Sequence, residues 1–289
     1  MAIDSKKYEN ANAFRRALED RLKNIAREQA MPLDRLRRRI TFDRFLARLF
    51  NKSNTKPQWL LKGGYALEFR FHNIARTTKD VDFSIPNINN ADENTIRALL
   101  QNEAKKDLSD WFVFYIGVPM KEFDQAVYGG WRYPVEARVA NRIFTKFHID
   151  VGIGDVVISE AEWKKGDDVL QFAGIEPAYA AMLPTEQHFA EKIHAYSYPR
   201  DKRPFSRMRD LVDLVLLIEQ GLPDKKMVLS AVKATFKRRD THDIPEMLEI
   251  PPETLGGSYE QLAEDCGVTK KTMAEAFSFV QDYWSGIRK

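Results

Sequence analysis

The sequence predicts an α/β (α+β) core flanked by N-terminal helices and a C-terminal helical domain. Three observations predict it. Apolar residues recur at helical spacing over residues 11–50, strand and helix patterns alternate over 59–154, and helical spacing returns after Thr185. The corresponding domains are an N-terminal helical segment at 1–56, a core at 57–176 and a C-terminal helical domain at 177–289. The second boundary follows the change of composition around Pro177 and Pro184.

The first helix is expected over 11–30, where Phe14, Leu18, Leu22 and Ile25 fall on one face. Pro32 interrupts it, and 33–50 repeats the pattern through Leu36, Ile40, Phe45, Leu46 and Leu49. A strand follows at 59–61, a helix from Tyr65, a strand at 81–85 and a helix at 93–108. Further strands are expected at 111–118, 135–140, 146–151 and 169–173. Helices then occupy 185–198 and the stretch from Ser206. Turns rich in Pro, Gly and charge are expected at 198–204, 221–224 and 242–253.

With 289 residues there is ample material for a core, and 44% hydrophobic against 30% charged residues is ordinary for a globular protein. No run is long and apolar enough for a membrane span, and no signal-peptide pattern opens the chain. Cys266 stands alone, so no intrachain disulfide forms. These features predict a cytoplasmic protein. A net charge of +3 does not by itself argue for nucleic acid.

The chemistry concentrates in Lys62-Gly63-Gly64 and in Arg76-Thr77-Thr78-Lys79-Asp80-Val81-Asp82-Phe83. A strand repeats every second residue, so Asp80, Asp82 and Ser84 share one face while Val81, Phe83 and Ile85 enter the core. Two carboxylates held so close repel unless a cation lies between them, and hard oxygen donors suit Mg²⁺. In Phe147-His148-Ile149-Asp150-Val151-Gly152 the same alternation places His148, Asp150 and Gly152 together. If this strand lies beside 81–85, Asp150 joins Asp80 and Asp82. Three carboxylates can hold two Mg²⁺ ions about 3.5–4 Å apart. Gly63-Gly64 opens a helix whose unpaired N–H groups make a phosphate cradle.

In the helical half, Lys192 sits at the margin of an apolar stripe of Phe189, Ile193 and Tyr196, from which its ammonium can reach phosphates. The next helix is apolar on nearly every side from Leu211 to Ile218 except at Asp213, which shares a face with Asp210. A carboxylate so placed needs partners, and Lys192, Arg207 and Arg209 are candidates. A structural ion pair accounts for Asp213 as well as catalysis does.

Five segments, LKGGYALEFRF, RTTKDVDFSI, FHIDVGIGD, EQHFAEKIHAY and RMRDLVDLVLLI, run in this order over 61–218. Together they resemble the AbiEii/AbiGii nucleotidyltransferase family, which includes MenT-type toxins and belongs to the polymerase-β-like nucleotidyltransferase superfamily. The resemblance implies a nucleotidyltransferase core with a mixed sheet and an NTP co-substrate. It implies that Asp80 and Asp82 hold Mg²⁺, with Asp150 as the third acid, and that Lys192 binds the nucleotide phosphates. It further implies that Asp210 is the acid of the fourth motif, beside Asp213, and that Thr78 lies near the phosphates with Gly63 and Gly64. The wider superfamily favours Gly-Ser in the turn, so Gly64 leaves phosphate binding there to the backbone. Asp150 or Asp210 would take the proton of the attacking hydroxyl.

The resemblance favours the 3′ end of tRNA as acceptor of the transferred NMP, and a cognate antitoxin or regulator encoded nearby. Basic groups at Arg35, Arg37, Arg38 and Arg39, at Lys237, Arg238 and Arg239 beside Phe236, and at Lys270 and Lys271 are compatible with RNA. Taken singly, the plainer reading of each patch is a solvated helix face. The alternatives are a protein hydroxyl as acceptor and a binding module without turnover. The last conflicts with the presence of Asp80, Asp82 and Lys192 together.

Overall fold

In the computed structural model, which describes residues 8–50, 57–86, 91–122, 129–199 and 207–289, the chain forms two compact units. The first comprises residues up to Leu61, Lys79–Ile153 and Trp163–Met182, and the second Lys62–Thr78, Gly154–Glu162 and Leu183–Lys289.

The first unit opens with α1 (Ala11–Glu28) and α2 (Leu33–Leu49). Asn10 caps α1 by accepting from the Ala13 N–H at 2.9 Å, and Pro32 precedes α2, where its missing N–H costs nothing. Next come β1 (Leu60–Lys62), then α3 (Gly63–Phe71), β2 (Asp80–Ile85), α4 (Glu93–Ala104), β3 (Phe112–Ile116) and β4 (Lys121–Glu122). After these follow β5 (Gly130–Val139), β6 (Arg142–Ile153), β7 (Glu162–Lys165) and β8 (Tyr179–Met182). The strands form one mixed sheet in the order β3-β5-β6-β2-β1-β8-β7, with β4 alongside β5. β6 is antiparallel to β5 and parallel to β2.

Alternation divides this sheet into two unlike faces. Phe83, Phe114 and Phe147 point into the core, where Phe45 of α2 meets all three rings at centroid distances of 5.3–6.4 Å. The same helix carries Asp43, Arg44 and Arg48 into the core. Arg48 donates to both oxygens of Asp110 at 2.7 and 2.8 Å and to the Phe112 carbonyl, so the buried charges meet in a bidentate pair. On the other face stand Asp80, Asp82, Arg132, His148 and Asp150, all partly exposed.

Several expected elements differ. The segment 169–173 is not a strand but a turn followed by a 3₁₀ turn, Gln171–Ala173. Gly174 closes it at φ +70°, a conformation open to glycine, and the turn buries Leu170 and Ala173. The strands expected at 135–140 and 146–151 are one long hairpin, β5–β6. Ala140 and Asn141 join its arms at φ +54° and +58°, the pair of positive angles that a two-residue hairpin turn requires. Arg15 of α1 holds that turn by donating to the carbonyls of Val139, Arg142 and Ile143 at 2.8, 2.8 and 3.0 Å. β5 also runs back through Pro134, whose carbonyl accepts from the Gly117 N–H at 2.8 Å. The short strands β7 and β8 carry too little alternation to stand out from their loops. Of the turn expected at 198–204, residues 200–204 lie outside the described residues, as does Ser206.

The second unit packs α3 with α5 (Thr185–Ser197), α6 (Met208–Glu219), α7 (Lys225–Arg239), α8 (Gly256–Glu264) and α9 (Met273–Arg288). The axis of the unit is α6. Its residues Leu211 to Leu217 are buried on every side, against α5, α8 and α9. That explains why its sequence is apolar all round. Trp284 and Tyr259 fill the far side of the same core.

Phe45→Ala removes the ring that contacts three sheet aromatics at once, and urea unfolding should show a loss of about 3–5 kcal/mol. A loss under about 1 kcal/mol would mean that α2 is not the lid of this core.

Candidate active site

The acids of the first unit come together by register alone. Asp82 is the cross-strand partner of Asp150, and Asp80 that of His148. The pairing of 81–85 with 147–152 expected from the sequence is therefore the pairing observed. On the next strand Arg132 is the partner of Asp150. Its guanidinium donates Nε to Asp150 Oδ1 at 2.8 Å and Nη2 to Oδ2 at 2.6 Å. The same Nη2 reaches Asp80 Oδ2 at 3.4 Å. His148 Nδ1 lies 3.2 Å from Asp80 Oδ1. The hydrogen bonds to Asp150, aided by its charge and those of Asp80 and Asp82, fix Arg132 in its charged form. Arg132 thus supplies the positive charge that adjacent carboxylates require. It was missed in the sequence because Pro134 hid the strand. Once β5 is extended to Gly130, alternation places Arg132 on the acid face.

Asp80, Asp82 and Asp150 are hard oxygen donors on one face, and their chemistry fits a divalent cation. Among the described residues, no group of three or more His, Cys, Asp or Glu side chains is arranged to hold a metal as it stands.

The second unit contains Gly63, Gly64, Thr78, Lys192 and Asp210. Gly63 begins α3 at φ +65°, in the left-handed region that glycine alone enters freely, and no side chain caps the helix. Gly64 has a different reason. A Cβ there would lie 2.8 Å from Nη2 of Arg76, so the guanidinium occupies the space a side chain would need. Arg76 in turn donates Nε and Nη2 to the two oxygens of Asp213, each at 2.9 Å.

Lys192 joins the same cluster. Its ammonium lies 2.7 Å from Asp213 and 2.8 Å from Asp210, and Arg207 approaches Asp210 at 3.4 Å. Two acids three residues apart on α6 thus clasp one lysine, which accounts for the R-x-x-D-x-x-D spacing. Burial would lower the Lys192 ammonium, but Asp210 and Asp213 outweigh it and hold it above its ordinary value. Burial would likewise raise Asp213, and Arg76 with Lys192 hold it well below the usual carboxylate range. Asp213 has an exposure of 0% and both oxygens engaged, so its surroundings are those of a structural ion. Of its expected partners, Lys192 is one. Arg76 was not foreseen, though it opens the very motif that carries the acids.

A second network lies beside it in this unit. Lys62 donates to Asp155 at 2.7 Å and to Glu191 at 3.0 Å, and Arg239 donates to Asp155 at 2.9 Å. Burial opposes ionisation of Asp155, yet Lys62 and Arg239 depress its carboxyl far below the ordinary range.

These contacts correct the reading of the basic patches. Arg37 is engaged with Glu19 at 2.7 Å, and Arg39 pairs with Asp167. Arg238 and Arg239 donate to Gly154 and Asp155, and Lys271 to the carbonyls of Ala263 and Cys266. These five cations thus have partners within the protein that the sequence pattern does not reveal. No helix of the described residues is long and apolar enough to cross a membrane.

A family model described as "Nucleotidyl transferase AbiEii toxin, Type IV TA system" matches residues 44–280. Among solved structures, the chain is similar to MenT4, a nucleotidyltransferase toxin from Mycobacterium tuberculosis H37Rv. Identity is 15%, the TM-score is 0.58, and the match covers 94% of this chain and 99% of the other. At that identity the likeness concerns the fold. No curated protein matches the sequence.

Asp213→Asn removes the buried negative charge that Arg76 and Lys192 share, and should cost about 3–5 kcal/mol in urea unfolding. Because its folded carboxyl is depressed, the stabilisation is complete above the unfolded value near ~3.9 and is lost as pH falls below it. The gap between wild type and Asp213→Asn should therefore narrow below about pH 4. A gap constant down to about pH 2 would refute the ion pair.

Proposed function

The chain belongs to the AbiEii nucleotidyltransferase toxin family of type IV toxin–antitoxin systems, and on that premise we propose that it is a Mg²⁺-dependent enzyme transferring NMP to the 3′ end of tRNA. Membership makes it a nucleotidyltransferase with an NTP co-substrate and an antitoxin partner. The observation that supports the metal-dependent part of this reading is the register of Asp80, Asp82 and Asp150 on one face of the sheet.

In this reading Asp80 and Asp82, with Asp150, hold Mg²⁺. Bound there, the metal would neutralise charge on the phosphates and on the leaving pyrophosphate. Arg132 exchanges its carboxylate partners when those oxygens are claimed. Lys192 binds the nucleotide phosphates, joined by Thr78 and by the N–H groups of Gly63 and Gly64 at the start of α3. To do so Lys192 gives up part of its clasp by Asp210, the less enclosed of its two acids.

The acceptor hydroxyl attacks the α-phosphorus. The bond to the bridging oxygen breaks, pyrophosphate departs, and the hydroxyl proton passes to a carboxylate. We assign that carboxylate as Asp150 rather than Asp210, because Asp150 shares the sheet face with Asp80 and Asp82. Asp210 positions Lys192.

Incubation with Mg²⁺, bulk tRNA and each α-³²P-labelled NTP in turn tests this. Label should enter tRNA with the wild type and not with Asp80→Ala, at an unchanged thermal midpoint. Prior periodate oxidation of the terminal ribose should abolish it. Asp150→Asn should lower the rate roughly 10²–10⁴-fold while NTP still binds. Label in protein instead of RNA would replace the tRNA reading with protein nucleotidylation, and a collapsed midpoint for Asp80→Ala would make Asp80 structural.

A further inference from the structure

A groove of about 890 Å³ begins at Asp80 and runs across the open face of the sheet over β6, β5 and β3. Cross-strand register lays its lining out in rows. Tyr115 is opposite Glu136, which is opposite Lys146, and one row nearer the acids Pro134 is opposite His148, which is opposite Asp80. Lys79, Arg132 and Arg138 complete its cations, which outnumber its acids, Asp80 and Glu136.

Tyr115 is the unusual member. It stands 53% exposed on a sheet whose other aromatics in β3, Phe112 and Phe114, are buried in the core. The Arg138 guanidinium lies 5.2 Å from its ring centroid, held there by Glu136 at 2.6 Å. The guanidinium lies over the ring, and this pair of flat groups, half exposed to solvent, offers a base a surface to stack on. Lys146 lies on the adjoining strand and has a side-chain exposure of 66%. Open sheet faces that join exposed aromatics to nearby cations suit single-stranded RNA, whose bases stack while its phosphates meet the charges.

We propose that this groove holds the single-stranded 3′ end of the RNA acceptor. One base stacks on Tyr115 and Arg138, Lys146 and Lys79 meet its phosphates, and the terminal hydroxyl is led over β6 towards Asp150. The proposal rests on the RNA-acceptor reading above. It gives RNA a surface distinct from the helical basic patches, one that joins an exposed aromatic ring to its cations.

The test is fluorescence anisotropy with full-length protein and a 5′-labelled single-stranded RNA ending in a free 3′ hydroxyl, over a series of salt concentrations. Binding of NTP with Mg²⁺ is measured in parallel. Tyr115→Ala combined with Arg138→Ala should weaken RNA binding by about tenfold or more, while NTP affinity holds. Tyr115→Phe, which keeps the ring, should bind RNA as the wild type does. Lys146→Ala should reduce the slope of log affinity against log salt by about 0.7. Wild-type RNA affinity in the double variant would overturn the groove and leave the RNA reading standing. Equal losses of RNA and NTP affinity would also overturn it, since the groove would then serve the nucleotide. If labelled NMP goes to protein and never to RNA, the acceptor reading falls and the groove with it.

Discussion

The two-residue period of β2, β5 and β6 is the constraint on which the first unit rests. One set of alternate positions supplies Val81, Phe83, Tyr133, Phe147 and Ile149, which are fully or almost fully buried. The other set supplies Asp80, Asp82, Arg132, His148 and Asp150. A slip of one residue in the β2–β6 ladder would send every phenyl ring to solvent and every carboxylate into the core. The core and the acid face therefore specify the same register. Packing energy is what holds mutually repelling carboxylates within reach of one another, and Arg132 offsets that repulsion.

The second unit solves a related problem with ion pairs. Asp213 lies in the most apolar helix of the chain, where an unpaired carboxylate would be far too costly. Arg76 and Lys192 approach it from different elements, so one buried anion ties the segment after α3 to both α5 and α6. Such a pair is weak evidence for added stability over an apolar replacement, but it is strongly directional. Its value here is to position Lys192. A lysine held by two acids keeps its charge through burial and has a defined place.

Much of this was legible in the sequence where period and burial agree. Asp80, Asp82 and Asp150 follow from alternation in β2 and β6, and α6 follows from its run of aliphatic residues. The expected ion pairing of Asp213 was sound, but the identity of Arg76 depends on a contact across 137 positions that no local pattern encodes. Arg132 was lost because Pro134 is a poor strand residue locally and tolerated only by its place in the hairpin. The false strand at 169–173 arose from a short apolar run, which by itself does not distinguish a strand from a buried turn. The charges at Arg37, Arg39 and Arg239 looked like surface because exposure cannot be read from residue type, and their partners come from distant parts of the chain.

Gly64 links these strands of the structure in one further way. Because the Arg76 guanidinium fills the space beside it, a side chain at 64 would have to displace a group that binds both oxygens of Asp213. A serine at 64, as the wider superfamily favours, would push the Arg76 guanidinium aside from Asp213. That displacement would leave Asp213 to rely more on Lys192, and Lys192 would be drawn more firmly towards it. The turn in this chain is thus more than a missing hydroxyl. It is the space into which a buried cation fits, and a side chain there competes with that cation for room.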